Sequence, residues 1–337
     1  MRIRLFDIAK ALLIMLVYLW HIPRIYSGWL GGGNQALAAL NNVNQCLFAP
    51  FFMAAFFAIS GYFLNSERAV LKSVIHDFLT LVFPALTLSL LNNVLYTLLY
   101  VYYSGDWLSR FQLYTKPEYW QDSLGFWFLT SLFFNKQVLR LLVCYVRKTE
   151  IQLTLSMLLC VCGLVLMNGQ IDIPNWFHFK EALLMCPMSL LGYLCKKNEI
   201  ELSHHTLQYF ALGYIISIIV LSICKNLIDG FNHGSSFAVC YIPTALWLGV
   251  SGTALVLLLS YWLQKSAVLG YIGRLSLPMF CLNFFFIDIY LRIFMPLVDR
   301  GYAFIYVIAV FLSSFLSGII LSSLLQTKYL RWILGRF

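Results

Sequence analysis

The chain has 337 residues, of which 61% are hydrophobic and 11% charged, with a net charge of +9 and a mean hydropathy of +0.79. That balance excludes an ordinary soluble enzyme and describes a polytopic membrane protein without a large aqueous domain. The excess of positive charge does not point to nucleic acid, because the basic residues are scattered over the connecting segments and form no single stripe.

A membrane span needs about 20 apolar residues, and on that measure the sequence predicts about ten helices. They fall near 5–26, 45–64, 76–103, 124–145, 151–168, 178–195, 207–224, 239–263, 275–295 and 301–325. The long apolar runs lack the alternation of a barrel strand, so the expected fold is all-α in one integral domain covering 1–337. With the N-terminus inside, Arg2, Arg4, Arg68, Lys72, Arg147, Lys148, Lys196, Lys197, Lys265, Arg274, Lys328, Arg331 and Arg336 fall on inner segments. Only Arg24, Arg110, Lys116, Lys180, Lys225 and Arg300 fall outside, so both termini are expected in the cytoplasm of a multi-pass inner-membrane protein. The first apolar run carries charges and has no small-residue cleavage site, so it is expected to be retained as the first span.

That first span is the most unusual segment. It carries Asp7, Lys10 and His21 where uniform apolarity is expected. An ionisable group at the bilayer centre costs roughly 2.5–3.5 kcal/mol on insertion scales and so marks a functional position by default. At ~100° per residue, Lys10 and His21 lie about 20° apart around the helix and Asp7 about 40° from His21, so the three share one face. Lys10 and His21 stand about 16 Å apart along the axis, too far to act on one atom but suited to two ends of a long molecule. A neutral imidazole can take a proton from a hydroxyl. The alternative for His21 is a structural hydrogen bond between helices, and for Asp7 and Lys10 a compensating ion pair.

The loops at 27–44, with Gly28 and Gly31 to Gly33, and at 104–123, with Trp107, Tyr114, Tyr119 and Trp120, are expected to face outward. The glycine run lacks the Lys-Ser or Lys-Thr of a phosphate cradle. The aromatics suit either an interfacial belt or a stacking platform for a sugar. His204 and His205 read as solvated residues, His178 and His233 as segment-end residues. The nine cysteines lie mostly within spans, and Cys160 with Cys162 fits neither zinc nor redox spacing, so no metal is expected. A Walker loop, a Gly-x-Ser-x-Gly elbow and a His-Glu-x-x-His pair are all missing from the sequence.

Several further segments complete a pattern: Phe56-Phe57 with Ile59-Ser60-Gly61-Tyr62-Phe63, Phe126-Trp127-Phe128-Leu129, Pro187 to Tyr193 with Gly192, and Ile272-Gly273 with Ser276-Leu277. Together with Asp7-Ile8-Ala9-Lys10 and His21, in this order, they resemble acyltransferase family 3, in particular the subgroup similar to fucose O-acetylases. The resemblance covers essentially the whole chain. It implies transfer of an acyl group, usually acetyl, from acyl-coenzyme A (acetyl-CoA) on the cytoplasmic side to a hydroxyl of a carbohydrate acceptor presented at or beyond the outer face of the lipid bilayer. His21 is then the general base or an acylated nucleophile, and Asp7 orients or neutralises Lys10. Lys10, Arg68, Lys72 and Arg274 are the expected coenzyme contacts, and Trp127, Ser60 and Asn283 the expected substrate contacts. The chain departs from the family pattern at Lys10, where many members carry Arg, and at Phe52-Met53-Ala54, where they carry His-Met-Pro. It also departs around Asp77 and Thr80, in place of a basic pair, and at Asn283, in place of His. Two alternatives stand beside the enzyme. One is a transporter of a polysaccharide or lipid-linked sugar using Asp288 with Arg292 and Lys136 with Arg140 as a polar pathway; the other is a catalytically inactive relative.

Overall fold

The computed structural model describes residues 2–29, 34–66, 69–104, 127–167, 175, 178–200, 203–223 and 242–335. Every regular element among them is helical. They divide into two compact units, one of Met1–Phe63 and Pro187–Ile319, the other of Leu64–Cys186 and Ile320–Phe337.

In the first unit, α1 (Arg2–Trp29) is the central helix. It is packed by α2 (Gln35–Leu47), α3 (Phe52–Tyr62), α11 (Ile242–Trp262), α12 (Ala267–Arg274) and α13 (Ser276–Ile293). Enclosure on several sides explains why its apolar residues do not form one stripe: Ile8, Ala11, Leu13, Ile14 and Val17 are all fully buried. The helix runs through Pro23. Proline has no N–H to give to the carbonyl of Leu19 four residues back, and Asn44 Nδ2 of α2 donates to that carbonyl instead, at 2.9 Å.

Close crossings are set by small residues. A Cβ on Gly61 of α3 would stand 1.9 Å from the carbonyl oxygen of Ser189, and one on Gly192 would stand 1.9 Å from that of Ala58. The two glycines thus let α3 and α9 (Cys186–Lys197) touch backbone to backbone. The unit is completed by α10 (His204–Ile223), α14 (Met295–Asp299) and α15 (Ala303–Leu325) as far as Ile319. Leu212, Ile216 and Ile219 on α10, and Phe304, Ile308 and Leu312 on α15, are exposed apolar residues at helical spacing. Such faces suit lipid and not water.

The second unit holds α4 (Val70–Asp77), α5 (Phe83–Ser104), α6 (Trp127–Tyr145), α7 (Thr149–Met167) and α8 (Phe179–Leu184). A single π turn over Phe78–Val82 joins α4 to α5. Pro84 follows it and cannot donate back to Thr80, so the backbone ladder is interrupted at this point.

Eight helical segments among the described residues are long and apolar enough to cross a membrane, and each matches one of the expected spans. The other two expected spans differ for local reasons. The 124–145 segment is helical from Trp127 to Tyr145 but carries Lys136 and Arg140. The 178–195 segment divides into α8 and α9, with the break at Met185 ahead of Pro187. The 27–44 loop also needs correction. Most of it is helix, because α1 continues to Trp29 and α2 starts at Gln35, capped by Asn34 Oδ1, which accepts from the N–H groups of Ala36 and Leu37. Gly31 to Gly33, His233 and the aromatics of 104–123 lie outside the described residues.

Candidate functional site

The N-terminal end of α1 carries a paired acid and base and lies against α12. Asp7 Oδ1 and Lys10 Nζ form an ion pair at 2.7 Å, with the lysine side chain 28% exposed and the aspartate 14%. Arg4 donates to the carbonyl of Lys265 at 2.8 Å, which draws the start of α12 towards the same end. A Cβ on Gly273 would stand 1.7 Å from the carbonyl oxygen of Asp7. Only glycine admits this approach, and it brings the neighbouring Arg274, exposed and placed over the ring of Tyr271, to the same end of α1. Asp7 and Lys10 are therefore paired at this end of α1, and the backbone of Gly273–Arg274 passes close beside Asp7.

His21 lies fourteen residues further along the helix, about 21 Å at the usual rise. It is 8% exposed. Its Nδ1 is 2.7 Å from the carbonyl oxygen of Val17, one turn back. A carbonyl can only accept, so Nδ1 carries the proton and, in the neutral ring, Nε2 carries the lone pair. Phe284 packs on the imidazole with ring centroids 4.4 Å apart, and Trp20 with centroids 4.8 Å apart. The Arg24 guanidinium sits over the Trp20 ring at 4.5 Å.

Polar atoms on Trp20, which packs on the imidazole, and on Asn283, the chain neighbour of Phe284, are unusual. Both amide atoms of Asn283, which is fully buried and precedes Phe284, have no hydrogen-bond partner, and neither has Trp20 Nε1. Buried polar atoms are almost always satisfied, and each exception asks for an explanation such as an absent ligand. Here the three orphans belong to Trp20 and to the residue next to Phe284, the two aromatic neighbours of His21. On the same side of the molecule Tyr18 donates to the carbonyl of Met279 at 3.2 Å, tying α1 to α13 one turn before Asn283.

The remaining expected contacts are dispersed. Ser60 is half buried on α3, beside the Gly61 crossing. Lys72 is exposed on α4 of the second unit, and Arg68 lies outside the described residues. Trp127 opens α6 in the second unit, 6.2 Å from the ring of His178. His178 has a left-handed backbone, and its Nδ1 is 3.3 Å from Glu181, which also accepts from Asn175. Lys136 and Arg140 are ion-paired with Asp77, and Asp288 with Arg292. Among the described residues no cluster of three or more His, Cys, Asp or Glu could hold a metal ion.

Sequence reasoning singled out His21, Asp7 and Lys10 but not Trp20, which packs on His21, or Arg24, which sits over Trp20. Both stand within one helical turn of His21, and a cation three residues after a buried histidine at a span end is the signal that could have marked them.

The model of the acyltransferase domain of acyltransferase family 3 matches residues 3–325. The chain belongs to acyltransferase family 3. Its match runs from the first turn of α1 to the end of α15 and so takes in both units. No curated protein and no solved structure gives a match. As a member of this family, the protein is a membrane acyltransferase.

Proposed function

We propose that the protein moves an acetyl group from acetyl-CoA, arriving on the cytoplasmic side, to a hydroxyl of a cell-surface or lipid-linked carbohydrate, with His21 as general base. The observation that carries this reading is the state of the imidazole. Its Nδ1 is spent on Val17, its Nε2 keeps a lone pair, and unspent polar atoms are held by Trp20, packed on the ring, and by Asn283, adjacent in the chain to Phe284. A base needs a bare nitrogen and a donor-acceptor surround that orients the hydroxyl.

In the step itself the acceptor hydroxyl gives its proton to Nε2 while its oxygen attacks the thioester carbonyl. The tetrahedral intermediate collapses with loss of the C–S bond. The departing thiolate takes the proton from Nε2, which returns His21 to its starting form and leaves an ester on the sugar. The Asn283 amide is suited to holding the acceptor, since Nδ2 can donate and Oδ1 can accept. The positive end of α1, with Lys10 and Arg274, suits the phosphates of the coenzyme, and Asp7 holds Lys10 in place. The roughly 16 Å between Lys10 and His21 along α1 matches a donor that is gripped at one end and reacts at the other. Both termini are in the cytoplasm of the inner membrane in this reading, which the distribution of basic residues supports.

The test is transfer of label. Purified protein in lipid, given radiolabelled acetyl-CoA and a panel of surface glycans, should place label on a glycan as a base-labile ester. Facilitated movement of an unmodified glycan across the vesicle wall, with no label transferred, would instead establish the transport alternative.

A further inference from the structure

The second unit carries a buried charge imbalance that the proposed reaction does not use. Asp77, which ends α4 and is 4% exposed, receives Lys136 Nζ on Oδ1 and Arg140 Nη2 on Oδ2, the latter at 2.6 Å. Gln137 links the group, accepting from Arg140 and donating to Asp77 at 3.4 Å. Two cations therefore face one carboxylate, a formal charge of +1, and among the described residues no second acid pairs with either of them. An uncompensated charge is costly to keep away from water.

Two further polar atoms are left over at the same place. Arg140 Nε is buried without a partner, on a residue that is 3% exposed. So is the hydroxyl of Ser73, equally buried and one turn before Asp77 on the same face of α4. The lysine leaves the cluster open, because its side chain is 19% exposed. The π turn begins directly after Asp77, and single π turns recur at functional sites.

We propose that this cluster binds a singly charged phosphodiester oxyanion. One negative charge brings the group to neutrality, and the phosphate oxygens supply acceptors for Arg140 Nε, the Ser73 hydroxyl and Lys136 Nζ together. Two molecules offer such a monoanionic phosphoryl group at the inner side of a membrane: a phospholipid headgroup, which carries one, and the pyrophosphate bridge of coenzyme A, which carries one on each phosphorus and would present one of them here. The site stands on its own charge and burial and does not depend on the role of His21.

Charge arithmetic makes the test. The cluster is +1 in the wild type, 0 in Lys136→Gln, +2 in Asp77→Asn and +1 again in the double variant. Each full-length protein is purified in neutral detergent. Coenzyme A binding is measured by equilibrium dialysis with the radiolabelled compound, and phosphatidylglycerol binding by native mass spectrometry of mixed micelles. For the correct ligand, Lys136→Gln should weaken binding about tenfold, Asp77→Asn should tighten it about tenfold, and the double variant should return close to the wild type. A response of coenzyme A alone identifies the donor's pyrophosphate as the occupant, and a response of the lipid alone identifies a headgroup. A purely structural ion pair gives a different result: Asp77→Asn loses thermal stability and neither anion follows the charge order, which overturns the proposal. Where Asp77→Asn does not fold, Lys136→Arg and Lys136→Gln decide, with binding kept by the first and lost by the second; equal binding by both overturns it. Because dialysis reads binding without turnover, the outcome is separate from that of the acyl-transfer assay.

Discussion

Asn44 donates its side-chain N–H to the carbonyl of Leu19, the group that Pro23 leaves without a helical donor. The bond joins α2 to α1 two residues before His21, so it fixes the stretch of α1 on which the imidazole sits. Asn44 is itself 2% exposed, and neither group has water to turn to. Asn44→Leu should therefore lower stability by about 1–3 kcal/mol, the cost of an orphaned buried carbonyl. Thermal unfolding followed by tryptophan fluorescence measures it; an unchanged midpoint would mean that the carbonyl finds another donor.

Gly273 sets the distance between α12 and α1. Its missing Cβ would fall inside the carbonyl of Asp7, so Gly273→Ala must push the two backbones apart. The displacement carries Arg274 and the Asp7–Lys10 pair with it. The expected result is a fall in transfer activity of at least about tenfold with retained helicity, because a shift of about 1 Å in a positioning group has that effect or more. Full activity would show that the end of α1 does not contribute to the reaction.

Lys10 and His21 should separate kinetically. Lys10→Ala removes a cation that holds the donor in the ground state and the transition state alike, so KM for acetyl-CoA should rise with kcat nearly unchanged. Asp7→Asn should have a smaller effect on KM, since the lysine charge remains. A fall in kcat for Lys10→Ala at constant KM would place this lysine in the chemistry instead.

Asn283 allows a stability measurement to be set against an activity measurement. Its amide is buried with neither atom bonded, so Asn283→Leu, of similar size, should leave the unfolding temperature unchanged or raise it. The same variant should raise KM for the acceptor. A loss of stability with normal acceptor KM would make the amide a structural group.

The sequence and the structure agree where the physics is local and diverge where a distant residue intervenes. The placing of Asp7, Lys10 and His21 on one face required only the helical period, and the Asp7–Lys10 pair follows from their i, i+3 spacing. The sequence predicts a first span that passes Pro23 and ends near Tyr26; what was not legible is that α1 runs on to Trp29 and that the Leu19 carbonyl is satisfied from another helix. The helix at Gln35–Leu47 was hidden by the neighbouring glycines and depends on the Asn34 cap. Lys136 and Arg140 read equally as a polar pathway or as ion pairs, since nothing local indicates that Asp77, some sixty residues earlier, is their shared partner. The orphaned atoms of Trp20 and Asn283 are a property of packing and leave no trace in composition.

The most direct measurement is single-turnover acetyl transfer by His21→Ala, with donor and acceptor affinities determined on the same preparation. If Nε2 is the base, the transfer rate should fall by about 10²–10⁴-fold while both affinities stay near those of the wild type. Transfer by this variant at the wild-type rate would contradict the assignment of His21 and with it the proposed mechanism.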